Sequence, residues 1–133
     1  PMRAVTATAS GFAAVGFGAS DDRAAAWISP DGLTWQTAPD GAVFANHTLP
    51  IRMAAVAAGP AGLVAVGWKS DGGNGSGTVW RSADGLAWQR DPVQASLTGG
   101  ELNGVAIGPH GPIGAGIAGY PDIDQASVWL GPP

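Results

Sequence analysis

The side chains able to do chemistry are few, and their spacing sets up little of it. The acids are nine Asp and a single Glu, Glu101; the bases are His47, His110, Lys69 and five Arg. Asp122, Asp124 and Glu101 could supply the paired carboxylates of glycoside hydrolysis, though nothing beyond their presence supports it. Asp122 and Asp124 with Gln125 could touch a cation, but calcium takes roughly six to eight oxygens and no EF-hand spacing is present. His47 and His110 lie far apart in sequence and lack zinc spacing. No Gly-x-Ser-x-Gly nucleophile elbow exists; Gly73-Asn74-Gly75-Ser76-Gly77 comes nearest. Gly114, Gly116 and Gly119 fit Gly-x-Gly-x-x-Gly literally, yet they open no helix, as phosphate binding requires. The absence of Cys removes disulfides, thiolate metal sites and Cys nucleophiles together. No catalytic residue, metal or cofactor is therefore expected.

Charge narrows the partners. Only 12% of residues are charged, the net charge is −4, and the five Arg are scattered. Binding to nucleic acid needs a cluster of phosphate-neutralising cations, so nucleic acid is not an expected partner. No apolar run approaches about 18 residues, so no membrane span is expected. The Ala- and Gly-rich, Lys-poor bias resembles that of high-GC bacteria, and an extracellular or cell-envelope location is expected.

What must position any site is a repeat. Ser29-Pro30-Asp31-Gly32-Leu33-Thr34-Trp35 returns as Ser82-Ala83-Asp84-Gly85-Leu86-Ala87-Trp88. The similarity extends upstream: Val5, Gly11, Gly16 and Trp27 match Val56, Gly62, Gly67 and Trp80, and again Val105, Gly111, Gly116 and Trp129. All six Trp fall in register, with Trp68 opposite Phe17. The chain has 22 Gly and 11 Pro, and the Gly residues sit at repeat positions, so they read as turns rather than disorder. The third copy reaches Gly131-Pro132-Pro133 where the Asp-Gly-x-x-Trp phrase should follow, which suggests a fragment, a processed product or a subunit that closes by association.

Each unit divides into short apolar segments bounded by Gly, Pro, Ser and Asp, the pattern of strands rather than helices. The segments are 3–8, 12–18, 24–28 and 33–37; then 53–58, 63–69, 78–81 and 86–89; then 102–107, 112–118 and 127–130. A recurring four-stranded unit of about 50 residues predicts an all-β fold of β-propeller-type blades of antiparallel strands. Residues 1–133 form one partial domain of about 2.7 blades: the first about 2–38, the second about 52–90, and a third about 101–131 that lacks its outer strand.

The twin phrase resembles the Asp box of the bacterial neuraminidase repeat, Ser-x-Asp-x-Gly-x-Thr-Trp, found in sialidase-like and sortilin-like propellers. Ser29, Asp31, Gly32, Thr34 and Trp35 match in order with one spacer missing; Ser82, Asp84, Gly85 and Trp88 match in the second copy, with Ala87 at the Thr position. The resemblance implies a structural turn between the third and fourth strands of a blade, its Asp accepting backbone N–H bonds and its Trp folding over the turn. It implies no particular activity, because proteins with this box include glycosidases, receptors and assembly factors. A sialidase of this family needs an Arg triad, a Tyr–Glu pair and an Asp acid, whereas this chain has one Tyr and one Glu, and its Arg residues do not repeat in register.

In an up-and-down blade the Asp boxes share one end with the short first turns. The opposite end carries the long loops, where binding residues usually lie. The candidate ligand residues there are Asp22, Arg23, His47, Asp71, Asn74, Glu101, Tyr120, Asp122 and Asp124. The expected function is a non-catalytic propeller segment acting as a binding or scaffold module, completed by self-association or by further blades. Its expected partner is protein. The alternative is a fragment of a secreted glycosidase or lectin, with carbohydrate held at the long-loop end.

Overall fold

A computed structural model describes residues 1–18, 22–92, 94–118 and 125–132. Every segment expected to be a strand forms one. β1 (Met2–Thr8), β2 (Gly11–Phe17), β3 (Ala24–Ser29) and β4 (Gln36–Thr37) make one antiparallel sheet in that order. β5 (Ile51–Gly59), β6 (Gly62–Lys69), β7 (Ser76–Ser82) and β8 (Trp88–Arg90) make a second. β9 (Glu101–Gly108), β10 (Gly111–Ala118) and β11 (Gln125–Leu130) make a third, of three strands. The connections between sheets hold the 3-10 turns Ala42–Phe44 and Ala95–Leu97, and no helix among the described residues is long and apolar enough to cross a membrane. The fourth strands start later than their apolar residues suggest. Leu33, Thr34, Leu86 and Ala87 give their N–H groups to Asp31 or Asp84 and so stay in the turn instead of joining a ladder.

The three sheets share one register. Val5–Ala14–Trp27, Val56–Ala65–Trp80 and Val105–Gly114–Trp129 form equivalent cross-strand rows. Each row sets a large indole beside a small central residue; a Cβ on Gly114 would lie 3.1 Å from the Trp129 ring. The first strand of every sheet bulges near its start, opposite Gly16, Gly67 or Gly116, and at each of these a side chain would run into the bulged strand's carbonyl.

Both faces of the middle sheet are apolar, and both are buried. On one side Met53, Leu63, Ala65 and Trp80 pack with Ala13, Val15 and Ala26 of the first sheet. On the other, Val64, Val66 and Val79 pack with Leu102, Val105 and Trp129 of the third. The packing runs mainly through β5 against β1 and β2, and through β9 against β5 and β6. The connections are tied down by the same indoles: Trp80 Nε1 donates to the Val43 carbonyl at 2.8 Å and Trp129 Nε1 to Gln94 Oε1 at 3.2 Å.

Gly62 illustrates why the repeat glycines recur. Its φ is +118°, and a Cβ there would strike the Ser82 carbonyl at the start of the second Ser-x-Asp-Gly turn. Gly62→Ala should therefore cost more than about 1 kcal/mol in denaturant unfolding. Gly41→Ala, at an extended φ of −169° with open space around it, should stay within about 0.5 kcal/mol of the parent.

Candidate functional site

The two Ser-x-Asp-Gly turns are near copies in space. Asp31 Oδ1 accepts the N–H groups of Leu33 and Thr34 at 2.8 and 2.9 Å, and Asp84 Oδ1 accepts those of Leu86 and Ala87, both at 2.9 Å. The buried hydroxyls of Ser29 and Ser82 accept from Gly32 and Gly85, each at 2.8 Å. The indole N–H groups of Trp35 and Trp88 return to the Gly32 and Gly85 carbonyls at 3.2 and 2.9 Å. This is the side-chain-to-backbone bonding that Asp and Ser supply in tight turns. The backbone donors hold both carboxyls below the usual aspartate range. They are anions at neutral pH and cannot serve as general acids.

The two copies differ in cover. Trp88 is buried and Trp35 only half-buried. Gly85 sits against Ile28 of the first sheet, so the second turn lies under the end of its neighbour.

At the opposite end, the segments carrying Asp22, His47 and Asp71 meet around Pro50–Arg52. Ile51 donates its N–H to the Asp22 carbonyl, Ser70 donates to the Pro50 carbonyl, and Asn46 Nδ2 reaches the Ser70 carbonyl. The charged candidates there are engaged within the chain. Asp22 pairs with Arg52 at 3.0 Å, and Arg23 with Asp40 at 2.6 Å. The Arg52 guanidinium also lies over the Phe17 ring, 4.6 Å from its centre. Asp71 Oδ1 accepts the N–H groups of Gly73 and Gly75 at 2.8 and 3.0 Å, which lower its pKa. Asn74 is exposed in that same turn. His47 is exposed and takes a left-handed φ of 52°. Glu101 begins β9 and accepts from Asn103 at 3.3 Å. Tyr120, Asp122 and Asp124 lie outside the described residues. Among the described residues no three His, Asp or Glu side chains gather as a metal site.

Two equivalent grooves open at the end that carries the Ser-x-Asp-Gly turns, where no candidate was placed from sequence. One, of about 660 Å³, runs between the second and third sheets along Pro60, Leu63, Trp88, Ile107 and Pro109. The other, of about 710 Å³, runs between the first and second along Ala13, Ile28, Pro60 and Asp84. Their walls come from turns of neighbouring sheets, so no local sequence pattern marks them; the recurrence of Gly-Pro at 59–60 and 108–109 is the only trace. No protein-family model matches the chain, and neither a curated protein nor a solved structure does.

The cover difference gives a measurable asymmetry. Trp88→Ala should cost about 3–5 kcal/mol, as truncation of a buried Trp does, and Trp35→Ala clearly less, both read from urea midpoints. The lowered carboxyl pKa values fix the acid behaviour. A depressed folded-state pKa contributes stability above the ordinary aspartate range, and that contribution is lost as pH falls through the folded value. The urea midpoint should drop on acidification below that range, and the drop should be shallower in the Asp31→Asn, Asp84→Asn double variant.

Proposed function

We propose that the chain is a non-catalytic β-propeller segment of the Asp-box kind, serving as a binding or scaffold module outside the bacterial cytoplasm. The observation that carries this reading is the exact recurrence of one register, bulge and Trp row in three sheets that stack in chain order through their first strands. Stacked, similar sheets joined by short connections are how propellers bury both faces of each blade. The paired Ser-x-Asp-Gly turns then act as locks at one end. Their carboxylates are committed to backbone N–H groups, and the described carboxylates at the other end to Arg, Asn or turn partners. What remains for function is surface: rigid sheets presenting loops to a protein partner.

The test is an activity screen with a capture experiment beside it. The purified chain should release no chromophore from aryl glycosides, sialosides included, and should retain a protein partner whose binding is lost when the 71–75 turn is replaced. Turnover of any aryl glycoside by the chain would overturn the non-catalytic reading. Hits on a glycan array with no protein captured would move the partner class to carbohydrate.

A further inference from the structure

The two outward faces of the stack are repeat counterparts of faces that already pack on each other inside it. The first sheet's outward face carries Met2, Val5 and Phe12. Their counterparts Met53, Val56 and Leu63 lie in the middle sheet and pack against the first. Exposure is 45%, 61% and 39% for the outward set and 0%, 8% and 5% for the packed set. The third sheet's outward face carries Ile113, Ala115 and Val128, the counterparts of Val64, Val66 and Val79, which pack on the third sheet. Val128 is 67% exposed where Val79 is 2% exposed. The turns follow suit: Gly85 of the second turn sits against Ile28 of the preceding sheet and Trp88 is buried, whereas Trp35 of the first turn is half-buried.

One interface is thus used twice within the chain, and its two halves are displayed unpaired at the two ends. Apolar patches of this kind on a protein surface mark interaction sites. We propose that a second copy of the chain covers both, head to tail. The Ile113, Ala115 and Val128 face of each copy packs on the Met2, Val5 and Phe12 face of the other, so that two chains close one ring of sheets. This rests on reading the sheets as propeller blades, since it is the constant rotation between blades that lets head-to-tail contacts close. The choice of a second copy follows from continuity. Each outward face complements the other in the geometry the chain already employs, and a single chain supplies both.

The contact is heterologous, which makes it separable from every face-to-same-face alternative. Val5→Arg breaks one half and Val128→Arg the other; both positions are exposed, so each variant should keep the circular dichroism spectrum of the parent. Sedimentation should show the parent as a two-chain particle and each variant alone as a single chain. An equal mixture of the two variants should pair again, through the one intact half that each retains, and more weakly than the parent. A parent that stays single at all concentrations overturns the proposal, and so does a variant that still pairs alone. A ladder of longer species in the parent overturns closure. None of these outcomes touches the non-catalytic reading, which fails only by turnover of an aryl glycoside.

Discussion

Each sheet in this protein is apolar on both faces, and that governs everything else. A sheet with one wet face can stop at a single partner layer; a sheet with two apolar faces must be covered twice. The middle sheet achieves this with Trp80 and its row against the first sheet and Val64, Val66 and Val79 against the third. Covering a Val or Leu side chain is worth about 1.5–3 kcal/mol, so both faces add up well beyond the contribution of any single ion pair here. The stack is therefore held by side-chain burial between sheets, while the ladders set the distance and register at which that burial takes place.

Register matters because the packing is coarse in volume but strict in position. A large indole beside Ala14, Ala65 or Gly114 fits only if the rows align, since a slip of one residue would turn the whole apolar set to the wrong face. Two local devices hold that alignment. The bulge at the start of each first strand is seated on a glycine. The Ser-x-Asp-Gly turns fix where the third strand ends and the fourth begins. In these turns the carboxylate replaces ladder partners for two backbone N–H groups, which shortens β4 and β8. The acidic groups most conspicuous in the sequence are consumed by this work.

The same logic separates the two ends of the stack. The long-loop end is tied by ion pairs between partly exposed groups, Asp22 with Arg52 and Arg23 with Asp40. Such pairs contribute little stability individually, but they fix the loops around Pro50–Arg52. The turn end holds the apolar grooves between sheets, lined by Gly-Pro turns and Trp88. The two ends thus offer different surfaces, shaped loops at one and grooves at the other. The composition of the chain, poor in charge and rich in Ala and Gly, suits contact by shape more than by steering.

The sequence by itself determined the all-β character and the short strands. Those depend on local chemistry: Gly at left-handed turns, Asp accepting nearby N–H groups, and apolar runs too short for helices. It also placed the six Trp in equivalent positions, because a repeat must reuse its large residues at the same points. It did not reveal that Trp88 is buried and Trp35 half-buried, although the two phrases read alike. Nor did it show that Asp22 and Arg23 take Arg52 and Asp40 as partners, or that grooves open beside Pro60. Those outcomes depend on which sheet lies against which. Burial is a property of neighbours in space, and equivalent residues acquire different surroundings at the middle and at the ends of a stack.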